Sequence, residues 1–211
     1  MTAGQTDQNV HFRFGTKSDA REIAILYNMA NNGLSEIWWS QQTQPGENWI
    51  DAFAHDILDK DSIAYYADCV LAQHNNQIVG LLIACLQEKV PPADFLGPLS
   101  SSEKCLLDLR RECEGSLYLA IVAVHEDYRK MGIARHFVDL AIQDAETSGV
   151  GQVFVIVHEE NKDWHASFLR REFTENKRLP VGDHPFFPHD SHWILMTKPV
   201  TSTRLAGREL K

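Results

Sequence analysis

The sequence predicts a mixed α/β fold, and three features carry that expectation. Two apolar runs, Leu117–Val124 and Gln152–Val157, flank a helical pattern over Gly132–Ser148, the order of a parallel strand pair joined by a covering helix. Earlier, "DCVLAQHNNQIVGLLIACLQE" holds two β-rich runs joined by a short polar turn at His74–Gln77, which reads as a hairpin. After a second helical pattern, Lys162–Arg171, the chain closes on the strand-like "HWILMTKP".

In chain order, "VHFRF" (Val10–Phe14) is the first strand, and Ser18 is the capping candidate for a helix that ends near Asn31–Gly33. A segment with Trp38, Trp39, Pro45 and Trp49 leads into "NWIDAFAHDILDK", an amphipathic helix carrying Trp49, Ile50, Phe53, Ile57 and Leu58. After the hairpin, Pro91, Pro92, Gly97 and Pro98 break strand character, and a short helix starts after Ser100–Ser102. Residues 1–9 read as a flexible leader, 10–200 as a single domain with an excursion at about 88–116, and 201–211 as a flexible tail.

Composition excludes several classes. Among 211 residues, 20 Lys+Arg against 29 Asp+Glu give a formal charge of −9, which argues against nucleic acid or an anionic membrane as the partner. No apolar stretch approaches the ~18 residues of a membrane span, and "MTAGQTDQNV" lacks a secretory pattern, so a cytoplasmic protein is expected. Cys69, Cys85, Cys105 and Cys113 form no C-x-x-C pair and read as reduced packing thiols, with Cys105 and Cys113 near one face of the excursion helix. His184, His189 and His192 mimic a metal cluster but have neither Cys partners nor a helical His-x3-His, so no metal is expected.

The chemistry concentrates in "HEDYRKMGIARHFVDLA". A strand entering a Gly-containing turn and then a helix leaves the first helical N–H groups without internal partners, where the macrodipole adds partial positive charge. Gly132 allows close backbone approach, Ala134 is small, and Arg129, Lys130 and Arg135 add cationic charge, so the turn suits a phosphate. The absence of G-x-x-x-x-G-K-[ST] and G-x-G-x-x-G weighs against an ordinary nucleotide-binding domain.

With Val124, Arg129, Gly132 and Ala134 on V-x-x-x-x-[QR]-x-x-G-x-[GA], the chain resembles the GNAT superfamily of acyl-CoA-dependent N-acetyltransferases. "NKDWHASFLRREF" adds Asn161, Phe168 and Phe173 at the spacing of that family's second marker, although Glu172 stands where its Gly is expected. The resemblance implies a twisted mixed sheet with splayed central parallel strands, helices on both faces, and acetyl-CoA as cosubstrate. It implies that Arg129, Lys130, Met131, Gly132, Ile133 and Ala134 cradle the pyrophosphate. It further implies that the backbone of Val122 and Val124 pairs with the pantetheine arm, with Asn161 and Phe168 at the next helix.

Amine acetylation needs a base, and here the sequence departs from its relatives. Tyr118 falls where many of them carry Glu or His, and an unperturbed phenol, with a pKa of about 10, is a poor base. Phe168 falls at the Tyr that protonates the departing sulfur and has no proton to give. Glu126 and His158, with His125 and Glu159, end the two central strands and are the other candidates for proton transfer. Trp38, Trp39, Phe186 and Phe187 are the candidate walls for a small-molecule amine acceptor. A non-catalytic acyl-CoA-binding or regulatory module is the alternative, and the apolar last strand leaves room for a homodimer.

Overall fold

The computed structural model describes residues 10–91 and 99–201. Its strands are β1 (Val10–Phe14), β2 (Val70–His74), β3 (Gln77–Leu86), β4 (Leu117–Val124), β5 (Gln152–His158), β6 (Thr174–Pro180) and β7 (His192–Pro199). Its helices are α1 (Ala20–Ala30), α2 (Leu34–Ser40), α3 (Trp49–Asp56), α4 (Ser101–Arg111), α5 (Ile133–Ser148) and α6 (Lys162–Leu169). Seven strands follow the order β1-β2-β3-β4-β5-β7-β6; β4 and β5 run parallel, while β1–β2, β2–β3, β5–β7 and β6–β7 are antiparallel. The sheet is mixed, as the strand and helix alternation requires.

Internal contacts divide the chain into two units, one of residues 1–84 and 120–140, the other of residues 85–119 and 141–211. The chain passes from one to the other within β3, after Ala84, within β4, after Leu119, and within α5, after Leu140.

In the first unit, Ile23, Leu26, Phe53, Ile57, Leu71, Leu81, Ile83 and Ile121 are buried together, so the apolar faces of α1 and α3 and one face of the strands share a core. The β2–β3 turn is Asn75–Asn76, both at positive φ (48° and 65°), as a two-residue hairpin demands and as Asn tolerates better than most side chains. The capping role expected of Ser18 is taken by the Thr16–Asp19 pair. The Thr16 N–H and hydroxyl both donate to Asp19 Oδ2 (2.7 Å each), opening a 3-10 turn at Lys17–Asp19 ahead of α1. Asp19 can serve there because Arg13 clamps it with two guanidinium bonds, at 2.7 and 2.9 Å.

Helix α2 was not expected from the sequence. Asn32 and Gly33, at φ 53° and 86°, turn the chain sharply after α1, and the backbone restarts as a helix carrying Trp38 and Trp39.

In the second unit, Leu109, Cys113, Phe154 and Leu195 form the buried centre, with Tyr118, Ile156, Leu179 and Trp193 packed around it. Helix α4 begins after Ser100 with a reciprocal cap. Ser100 Oγ accepts from the Glu103 N–H (3.2 Å), and the Glu103 carboxylate accepts from the Ser100 N–H (2.8 Å). The helix ends at Arg111, so Cys113 lies beyond it rather than on the face shared with Cys105. Burial pushes the Cys113 thiol up to about 11, and none of the four cysteines forms a disulfide. Of the excursion's breakers, Pro91 is described; Pro92, Gly97 and Pro98 lie outside the described residues, as do the leader and residues 202–211.

The second element that pattern reading missed is the strand β6. Its "TENKRLP" has no apolar alternation because, among the described residues, it is the edge strand paired with β7 alone, with a register shift between Glu175 and Lys177.

Candidate active site

In the first unit, β4 delivers the chain into the turn that the sequence singles out. Burial alternates along β4, so Tyr118, Ala120, Val122 and Val124 share the less buried face, opposite Leu119, Ile121 and Ala123. The strand end is anchored by the His125 N–H donating to the Val79 carbonyl at 2.9 Å. A 3-10 turn, Glu126–Tyr128, follows, with its Tyr128 hydroxyl on Gln77 Oε1 at 3.1 Å.

The backbone then alternates its hand. Arg129 is extended (φ −65°, ψ 156°), Lys130 is left-handed (φ 67°), and Gly132 is left-handed again (φ 83°). Such reversals turn successive N–H groups toward one side, the concavity that anions occupy. At Gly132 a Cβ would meet no atom within 4 Å, so the glycine answers the backbone angle rather than crowding, and the space beside it is open. The Gly132 carbonyl accepts the first α5 bond, from the His136 N–H at 3.0 Å.

Helix α5 sits low on the sheet because β3 carries Gly80 beneath it. A Cβ at Gly80 would lie 3.0 Å from the Phe137 ring, 3.1 Å from the Ala123 carbonyl and 3.2 Å from Ile133. Ile133 is buried, while Arg129, Lys130 and Gly132 are exposed and Met131 and Ala134 half-buried. Open space, amides at a helix start and exposed cations fit the pyrophosphate of a CoA thioester. Glu126 is also exposed.

In the second unit, Tyr118 lies flat on Phe154 (centroids 4.7 Å, planes 12° apart), and the Arg110 guanidinium stands 5.4 Å over its ring. Arg110 is held in turn by Gln87, whose Oε1 accepts from Nε at 2.6 Å. Parallel pairing of β4 with β5 occurs at Leu117↔Val153 and Tyr118↔Phe154. Phe168 is 2 % exposed, between Trp164 (5.4 Å) and Phe173 (5.0 Å), and presents almost no surface to a ligand. Asn161 caps α6 through its backbone and makes no capping bond with its side chain, which is exposed.

His158 closes β5 and is buried at 5 % exposure. Its Nε2 lies 2.8 Å from Ser191 Oγ, and its Nδ1 accepts from the Glu160 N–H at 3.3 Å. Phe187 stacks on the ring at 3.7 Å, and Trp193 meets it edge-on at 5.3 Å. Burial holds the imidazole below its ordinary 6.5, against the opposing pull of Glu160 and Glu159. Both ring nitrogens are therefore engaged within the protein.

His184, His189 and His192 are also occupied. His184 tilts over Phe187 at 4.6 Å, His189 Nδ1 approaches the Gly182 carbonyl at 3.2 Å, and His192 lies 3.3 Å from Glu159. Phe186 is exposed. Of the two candidate tryptophans, Trp39 stacks on Phe53 in the first unit's core (5.2 Å, 19°), while Trp38 is 53 % exposed at its edge.

Pattern reading missed Arg110, Gln87 and Ser191. Arg110 and Ser191 each act on a candidate residue, and Gln87 on Arg110, across at least eight positions of sequence, and no local spacing signals such a contact.

A family model described as Acetyltransferase (GNAT) family matches residues 32–173. A crystal structure described as an acetyltransferase shares 16% identity at a TM-score of 0.64, covering 90% of this chain and 99% of that one. The ribosomal-protein-alanine N-acetyltransferase of Brucella melitensis shares 20% identity at 0.60, over 90% and 99%. The Salmonella typhimurium protein yncA, solved with its cofactor acetyl-CoA, shares 16% at 0.61, over 97% and 100%. At those identities the likeness is one of fold. No curated protein matches the chain in sequence. Among the described residues no helix is long and apolar enough to cross a membrane. Acetyl-CoA is the acetyl donor of the matched family. The chain belongs to the GNAT family of acetyltransferases.

Proposed function

We propose that this protein moves the acetyl group of acetyl-CoA to the primary amine of a small molecule, by direct transfer in a ternary complex. The observation that carries the reading is the turn from Arg129 to Gly132, with Lys130 and Gly132 both left-handed at the start of α5. Its amides hold the pyrophosphate, Arg129 and Lys130 neutralise it, and the backbone of Val122 and Val124 lies along the pantetheine arm. Acetyl-CoA supplies the activated acyl group; the protein's part is to orient it and to receive the amine's proton.

For the acceptor, the formal charge of −9 favours a cation, and the exposed Phe186 with the half-buried Phe187 favours an apolar body on it. Glu126, exposed at the end of β4, is the proton acceptor we favour, and Tyr118 orients the reactants.

One observation favours the second reading, a module that binds acyl-CoA without turnover. Tyr118 lies against Phe154 with Arg110 over its ring, and Phe168 is buried, so neither expected proton-transfer position holds an ordinary acid or base.

Calorimetric titration with acetyl-CoA, CoA and ATP, followed by thiol release with a panel of amines, separates these readings. Binding of acetyl-CoA and CoA but not ATP, with amine-dependent thiol release, is expected. Binding without release would favour the module, and no binding would remove both.

A further inference from the structure

We infer that His158 is a positioning residue: as a neutral imidazole carrying its proton on Nε2, it clasps the 181–191 loop to the end of β5 and so sets the Phe186–Phe187 wall. The inference rests on the reading of that loop as a wall for the amine acceptor.

The tautomer follows from proton bookkeeping. The Ser191 hydroxyl has one proton, and it donates it to the Pro188 carbonyl at 2.5 Å. Ser191 Oγ can therefore only accept, so His158 Nε2, 2.8 Å away, must be the donor. On the other side of the ring, the Glu160 N–H points at Nδ1 from 3.3 Å, so Nδ1 must carry a lone pair. A proton there would oppose the Glu160 N–H and charge a side chain buried under Phe187.

The loop is held at both its ends. The Val181 N–H donates to the Ser191 carbonyl (2.9 Å) and the Ser191 N–H to the Pro188 carbonyl (3.0 Å), so the His158–Ser191 bond fixes the loop's closing turn. Phe187, between the His158 and His184 rings, inherits its position from that clasp.

The charged groups around His158 act in opposite directions. Glu159 and Glu160, at the end of β5, favour its protonation; His184, on the loop, is itself held below 6.5 by burial and by His158. Glu159 is partly satisfied elsewhere, accepting from the His192 N–H (3.0 Å) on β7 and lying 3.8 Å from Arg178 on β6. Burial is the largest of these influences on His158. The neutral ring is therefore favoured at neutral pH, and a proton added on acidification goes to Nδ1, opposite the Glu160 N–H, while Nε2 keeps its donor to Ser191.

The test compares the wild type with His158→Gln, His158→Phe and Ser191→Ala, using phenethylamine as acceptor and 15N-histidine spectra of the free protein. Phe keeps the ring stack but cannot donate, whereas Gln keeps a donor near Nε2 and does not titrate. Expected are an Nε2–H neutral signature for His158 at pH 7, and at least a fivefold rise in the phenethylamine KM in His158→Phe and Ser191→Ala with kcat changed less than threefold. His158→Gln, which keeps a donor near Nε2, should recover most of that loss.

An Nδ1–H or imidazolium signature at pH 7 would overturn the inference, as would unmoved KM values in His158→Phe and Ser191→Ala. If the wild type binds acetyl-CoA but acetylates no amine, the functional reading falls. The nitrogen spectrum and its response to Ser191→Ala then decide the clasp by themselves.

Discussion

The Tyr118 ring lies parallel to Phe154, centroids 4.7 Å and planes 12° apart, with the Arg110 guanidinium 5.4 Å over it. The two residues are direct partners in the parallel register of β4 and β5, so the stack is imposed by the strand pairing itself. The residue where relatives place a base is thus an aromatic plate at the start of the central pair. Tyr118→Phe keeps the plate and removes the hydroxyl. It should leave thermal stability within about 1 kcal/mol and acetyl-CoA affinity unchanged, while amine-dependent CoA release falls at least tenfold if the hydroxyl orients the reactants. An unchanged rate would leave Tyr118 a packing residue.

Gly132 is held at φ 83° with no atom near its missing Cβ. Gly132→Ala should therefore cost about 1 kcal/mol of stability from backbone strain alone, measurable by urea unfolding. Gly132→Glu should also place a carboxylate beside the turn and abolish acetyl-CoA binding in a folded protein; unchanged affinity by calorimetry would remove the cofactor assignment.

Asp19 is a stability residue with a defined pH signature. The Arg13 guanidinium and the Thr16 hydroxyl and amide hold its carboxyl down to about 2, from an ordinary 3.8. Because the folded form binds its proton more weakly than the unfolded chain, this contribution is complete above pH 3.8 and is lost as pH falls through about 2. Asp19→Asn should destabilise the protein by about 1–2 kcal/mol at neutral pH and flatten the acid limb of a stability profile between those values.

Phe168 stands where a sulfur-protonating Tyr would be expected, yet its ring is packed between Trp164 and Phe173. Phe168→Tyr should therefore add a buried hydroxyl and lower stability by about 1–3 kcal/mol, with no gain in turnover. A faster enzyme with intact stability would mean that this position opens to the reacting groups.

Much of the fold is legible in order along the chain. Strands Leu117–Val124 and His192–Pro199 have the bounds their apolar runs predict, and α5 starts one residue after the predicted Gly132, because buried strands and a long amphipathic helix write their periods into the sequence. Strand β6 is not legible, since an edge strand with polar faces has no period to show, and α2 is hidden because seven residues give too few turns to establish one. Ser18 was the better cap by residue type, but Arg13 fixes Asp19 and moves the start of the helix; that contact spans two elements.

The candidate site divides along the same line. Sequence alone determined the turn from Arg129 to Ala134, because its chemistry is backbone chemistry: a glycine at a left-handed position, a small residue and a helix start are local, and local spacing encodes them. Only the tertiary structure decided what Tyr118, His158 and Phe168 are. A side chain's protonation, exposure and partners depend on groups such as Arg110, Ser191 and Trp193, which come close only when the strands pair and the core closes, and a buried imidazole looks the same in sequence as an exposed one.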